Sequence, residues 1–144
     1  MASIAPFAIF ERWSCERAVI VGVGVHLVDV ERFARSLARF GDRWKTRVFS
    51  EEEWRYATVG KRSAERLAVR FAAKCAGMRA LQLECLPLRE VEVMRSSAGL
   101  PTLKFHARTQ VRAQALGVTT SHVTLTHEGS TAVACVMLEG AGNE

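Results

Sequence analysis

The side chains able to do chemistry fall at a few places in the chain. His26 closes the run Gly22-Val-Gly-Val-His26, where two alternate glycines leave room for another backbone or a ligand to come close. Cys75 stands in an alanine-rich stretch, with Lys74 before it and Arg79 four residues on. His127 ends the run Ser121–His127, just ahead of Glu128-Gly-Ser130. Imidazole and thiol are groups that proteins use as base, nucleophile or soft-metal ligand. Each also has an ordinary reading: an inert buried thiol for Cys75, a cap or surface group for His127. The pair Gly22-x-Gly24 lacks the third glycine of a dinucleotide fingerprint, and a strand pattern continues through it, so structural glycines are the better reading. The remaining feature is basic. Arg32, Arg35, Arg39 and Arg43 recur at helical spacing, extended by Lys45 and Arg47, against the single acid Asp42 over residues 32–47. A solvated helix face is the ordinary reading, but such a face usually mixes its signs, so a docking surface for something acidic stands beside it.

The elements that must hold these residues follow from periodicity. Ala18 to Val30 alternates as a strand, with Val19, Val21, Val23, Val25 and Leu27 on one face and Ile20, Gly22, Gly24, His26 and Val28 on the other. From Glu31 to about Trp44 the period becomes helical, with Phe33, Leu37, Phe40 and Trp44 as the apolar stripe. A loop through Phe49 and Glu51-Glu52-Glu53 follows, with room for a short helix. Ser63 to about Leu83 is the strongest helix pattern, rich in alanine. Leu88–Arg95 and Thr102–His106 read as strands around a Ser-Ser-Ala-Gly-Leu-Pro turn, and Ala107–Leu116 as a helix stopped by Gly117. Ser121–His127 and Thr131–Leu138 form a hairpin. Strands and helices without strict alternation predict an α+β domain, a small antiparallel sheet with packed helices, over 18–140, with residues 1–17 as an appended arm.

Composition bounds the class. At 144 residues, 49% hydrophobic and 24% charged, the chain has the size and composition of one globular domain. No apolar run approaches the roughly 20 residues that span a bilayer, and the first 17 residues show no small-residue cleavage site, so no membrane role is expected. Four widely spaced cysteines without a Cys-x-x-Cys pair suit a reducing, cytoplasmic setting. The net charge of +5, carried by sixteen arginines and four lysines, points to an acidic partner. No nucleic-acid motif accompanies it.

Taken together, the segments resemble the holo-acyl-carrier-protein synthase family of small trimeric phosphopantetheinyl transferases. The resemblance is carried by Val21-Gly-Val-Gly-Val-His-Leu-Val-Asp-Val-Glu-Arg-Phe33, Arg47-Val-Phe-Ser-Glu-Glu-Glu53 and Glu65-Arg-Leu-Ala-Val-Arg-Phe-Ala-Ala-Lys-Cys-Ala-Gly-Met-Arg-Ala-Leu81. It continues in Gly99-Leu-Pro101 and His122-Val-Thr-Leu-Thr-His127. It implies a phosphopantetheinyl-transferase-like fold, a homotrimer with sites shared between neighbours, and coenzyme A as donor. Mg²⁺ would hold the donor's pyrophosphate while a serine of acyl carrier protein attacks the β-phosphate. It also implies Lys74, Arg79 and His127 as cofactor-binding residues, Lys74 and His127 being catalytic candidates as well; His26 and Cys75 join the catalytic candidates on their own chemistry. The arginines at 32, 35, 39 and 43 would form the carrier-protein surface.

The chain departs from that pattern where the metal would sit. The family has Asp at the place of His26 and Glu at the place of Cys75, and Leu100 replaces the basic residue usual between Gly99 and Pro101. Imidazole and thiol are poor Mg²⁺ ligands and suit Zn²⁺ better. If the family geometry holds, His26 and Cys75 lie close together, as a nucleophile and base, an acid/base pair, or residues that merely pack. The expectation is therefore a diverged member that binds acyl carrier protein or its phosphopantetheine-tethered intermediate. It would have lost Mg²⁺-dependent transfer and would act, if at all, on another step of fatty-acid or polyketide synthesis. The alternatives are a working holo-acyl-carrier-protein synthase and a non-catalytic trimeric scaffold.

Overall fold

A computed structural model describes residues 17–85 and 87–141, so all of the expected arm except Arg17 lies outside the described residues. The elements run β1 (Ala18–Asp29), α1 (Val30–Arg47), α2 (Glu51–Ala57), α3 (Ser63–Ala80), a 3₁₀ turn (Leu88–Glu90), β2 (Val91–Arg95), β3 (Pro101–Phe105), α4 (Ala107–Ala115), β4 (Val118–Glu128) and β5 (Thr131–Ala141). The fold is α+β, with two antiparallel sheets: a three-stranded one in the order β1-β5-β4, and the hairpin β2-β3.

Helix α3 lies between the two sheets, and its small residues let it come very close to the first. Ala68, Ala72, Ala73, Ala76 and Ala80 are buried, as are Ala132, Ala134, Val136 and Leu138 of β5. On β1 even alanine would be too large. A Cβ at Gly24 would press into the Ala76 carbonyl and stand 2.8 Å from the Ala80 nitrogen; at Gly22 it would collide with the Ala80 carbonyl. The two glycines therefore serve the packing of α3.

The other side of α3 is anchored by charge. Lys74 is fully buried and donates to Glu53 Oε2 at 2.8 Å, to the Leu88 carbonyl at 3.2 Å and to the Val91 carbonyl. Glu53 in turn accepts from the Val93 amide at 2.8 Å and the Ser50 amide at 2.7 Å, while Ser50 Oγ accepts from the Glu53 amide. That capping box turns the acidic segment, expected as loop with room for a short helix, into α2. Every donor of a buried ammonium thus has a partner, which burial of a charge requires.

Other departures from the sequence reading are local. A register shift between Ile20 and Gly22 leaves Ile20 57% exposed, off the inner face where simple alternation placed it. The strand expected from Leu88 opens as a 3₁₀ turn and begins at Val91, where its buried face starts. Among the described residues no helix is long and apolar enough to cross a membrane.

The close approach makes a direct prediction. Gly24→Ala should lower stability by roughly 2–3 kcal/mol, because rigid backbone atoms of α3 must move. Gly41→Ala in α1, where a Cβ meets nothing within 4 Å, should raise it by about 0.5–1 kcal/mol. Chemical denaturation of both variants checks the contrast.

Candidate active site

Two clefts flank α3. The first opens at the β1 edge of the sheet. It is a cleft of about 440 Å³ lined by His26, Asp29, Arg32, Phe33, Trp44 and Phe71, among others. Phe71 forms its floor: the Trp44 ring stacks on it at 5.7 Å and 5°, Phe33 packs at 5.4 Å, and the His26 ring meets it edge-on at 6.3 Å. Gly22 lies opposite Ala80 and Gly24 opposite Ala76, so the next inward residue of β1, His26, falls about one turn earlier on α3. Cys75 and Arg79 follow Phe71 at intervals of four, on the same flank of the helix.

The electrostatics of this cleft are those of a neutral pair beside a cation. Desolvation, and then the charge of Arg79, hold His26 below its ordinary pKa, so its imidazole is neutral at pH 7. Burial pushes the Cys75 thiol up to about 11 despite the opposing pull of Arg79 and Lys74. A protonated thiol is neither nucleophile nor metal ligand. The Asp29 carboxylate is occupied as the N-cap of α1, accepting from the Arg32 amide at 2.9 Å. No group of three or more His, Cys, Asp and Glu side chains among the described residues gathers at metal-binding spacing. Mg²⁺ demands several hard oxygen donors, so the residues here do not fit it.

The second cleft, about 300 Å³, opens at the β4 edge. It is lined by Arg62, Arg66, Arg70, Arg95, Tyr56 and His127, with Glu65 as its one acid. Arg70 is 7% exposed, and its Nε has no hydrogen-bond partner. The guanidinium groups of Arg70 and Arg95 lie 4.3 and 4.8 Å from the Tyr56 ring, as cation–π contacts. Four guanidinium groups and one histidine lining a single cleft give it the fixed positive charge that suits an anion.

The sequence-derived residues thus divide. Cys75 and Arg79 share one flank of α3 with Phe71, against which the His26 ring packs from β1. His127 joins the arginine cleft on the other: Arg66 and Cys75, nine residues apart, stand about 180° apart around the helix. Lys74 belongs to neither cleft, since it points into the core against Glu53. Arg35, Arg39 and Arg43 are exposed along α1, and Arg32 begins that stripe at the rim of the His26 cleft. Arg62, Arg66, Arg70 and Arg95 were missed, although the spacing of the first three is the same kind of basic stripe as that on α1.

The thiol offers a test of the geometry. A shift from 9.0 to about 11 lowers the thiolate fraction at pH 8 roughly 100-fold, so alkylation mapped by peptide mass should label exposed Cys85 long before Cys75. Comparable rates at the two positions would contradict the buried, uncharged environment of Cys75.

Comparison with known proteins bears on this arrangement. Residues 22–136 match the model of the 4'-phosphopantetheinyl transferase superfamily. A holo-[acyl-carrier-protein] synthase of Koribacter versatilis is 39% identical over 124 residues, 84% of this chain and 99% of its own length. Among solved structures, the ACPS–CoA complex of Chronobacterium ammoniagenes superposes with a TM-score of 0.69 at 30% identity, covering 83% of this chain and 96% of that one. A holo-(acyl-carrier-protein) synthase from Bacillus anthracis in complex with CoA (3',5'-ADP) gives 0.67 at 28%, covering 84% and 97%. With the fold and the matched segments in agreement, the chain belongs to the 4'-phosphopantetheinyl transferase superfamily, among relatives that are holo-acyl-carrier-protein synthases.

Proposed function

We propose that this protein is a holo-acyl-carrier-protein synthase: it moves 4'-phosphopantetheine from coenzyme A to a serine of an acyl carrier protein. The observation that carries the reading is the cleft that Arg62, Arg66, Arg70 and Arg95 line together with His127. Coenzyme A is a polyanion whose 3',5'-ADP portion leaves in the reaction, and Arg62, Arg66, Arg70 and Arg95 supply the fixed positive charge to hold it. The near full-length match to the Koribacter relative supports the same activity.

In this reading the serine hydroxyl attacks the β-phosphorus of coenzyme A, forming the Ser–O–P bond as the bond to 3',5'-ADP breaks. The serine proton passes to neutral His26, and Arg79 balances charge on the diphosphate. The carrier protein docks on the exposed stripe Arg32, Arg35, Arg39 and Arg43. Because α1 starts one residue after β1 ends and Arg32 lies on the rim, docking there sets an acidic partner at the mouth of the His26 cleft.

Assembly is part of the proposal. The His26 and His127 clefts lie at opposite edges of the β1-β5-β4 sheet, so one chain does not unite them. The outer face of β1 leaves Val23, Val25 and Leu27 about half exposed, beside Val133, Cys135 and Met137 of β5. An apolar row of that kind is suited to covering by another copy of the chain. A homotrimer joining the β1 edge of one copy to the β4 edge of the next completes the site.

A second reading is favoured by His26 and Cys75, neither of which is a carboxylate. In it the protein keeps the carrier-protein surface and binds the phosphopantetheine-tethered carrier without transferring the group. Incubation with apo-carrier protein and coenzyme A, followed by intact mass measurement, separates the two. The expected result is a gain of one phosphopantetheinyl group on the carrier, slowed roughly 10- to 100-fold by Arg70→Ala in kcat/KM. An unmodified carrier that still binds the protein would establish the second reading instead.

A further inference from the structure

Resting on the coenzyme A reading above, we propose that this chain holds its donor's diphosphate by arginine charge alone, with Arg79 and no divalent cation beside it. Three features of the cleft support this. First, His26 in the cleft and Cys75 one turn beyond Phe71 on the same flank of α3 carry no negative charge, so a hard cation beside either gains no anionic ligand. Secondly, the one carboxylate that lines the cleft, Asp29, and several on neighbouring elements are already engaged. Asp29 caps α1, Glu53 holds Lys74 and the Val93 amide, Glu92 pairs with His106 at 2.8 Å, and Glu90 with Arg108 at 2.9 Å. Thirdly, a cation stands nearby: Arg79 follows Phe71 and Cys75 at intervals of four on the same flank of α3, close enough for its charge to act on both His26 and Cys75.

The charge balance is self-consistent. A cleft built around two carboxylates needs an added cation before a diphosphate can enter. A cleft built around a neutral imidazole, a thiol and a guanidinium is electropositive from the outset. Removing two carboxylates and keeping the arginine therefore reaches the same local charge without an ion. Guanidinium can also meet two phosphate oxygens at once, in a planar, bidentate fashion that an ammonium does not reproduce. The four arginines of the β4-edge cleft extend the same principle to the rest of the donor.

Calorimetric titration of the full-length protein with coenzyme A tests the proposal, after exhaustive treatment with chelator and then with Mg²⁺ or Zn²⁺ restored. The expected dissociation constant is the same within about twofold in all three conditions, and it weakens steadily as salt is raised. Arg79→Ala should weaken binding about 10- to 100-fold, with Arg79→Lys in between. Arg79 is exposed, so these variants keep the folded core, and circular dichroism confirms it. Tight binding only after a metal is restored, or full affinity in Arg79→Ala, overturns the proposal while leaving the coenzyme A reading in place. Absence of binding under every condition removes that reading, and this inference with it.

Discussion

The contact between α3 and β1 sets the rest of the molecule. Backbone meets backbone there because Gly22 and Gly24 present no side chain, and alanines line the facing helix. Such an approach fixes both the height and the rotation of α3 over the sheet, since a close-packed interface tolerates little sliding. Rotation is what matters for function. With the alanine face on the sheet and Lys74 turned to Glu53, the two remaining flanks border the two clefts, one carrying Phe71, Cys75 and Arg79, the other Arg62, Arg66 and Arg70.

The buried Lys74–Glu53 pair completes that constraint from the opposite side. Its hydrogen bonds reach α2, the 3₁₀ turn and β2, so one ammonium and one carboxylate join four segments distant in sequence. Pairs of this kind specify an arrangement more reliably than they add stability, because the desolvation cost nearly cancels the attraction. This explains why Lys74, adjacent in sequence to Cys75, takes no part in the cleft: one step along a helix turns a side chain by about 100°. Sequence adjacency suggested a shared role, and helix geometry separates the two residues.

Much of the fold was legible in the sequence. Alternation defined β1, the apolar stripe defined α1, and alanine spacing defined α3, because each signal is local and strongly periodic. The glycines were recognised as a place of close approach, though not what would approach. The Ser50-x-x-Glu53 cap was present in the sequence but passed over, since Glu53 also has buried partners at Lys74 and Val93 that only tertiary structure supplies. The site was half legible. His26, Cys75, Arg79 and His127 stood out by type and by family resemblance. The arginine cleft did not, because Arg70 and Arg95 converge on Tyr56 only once α2, α3 and β2 have packed.

The central claim is that the catalytic site is divided between two edges of the sheet and is completed by a neighbouring copy. Subunit mixing tests it most directly. Arg79→Ala damages the β1-edge half, and the double variant Arg70→Ala with His127→Ala damages the β4-edge half. Trimers containing both kinds of chain, isolated through two affinity tags, hold one interface in three where both halves are intact. The account predicts that these mixed trimers regain roughly a third of wild-type phosphopantetheinyl transfer while each parent remains impaired. Mixed trimers as inactive as their parents would contradict it.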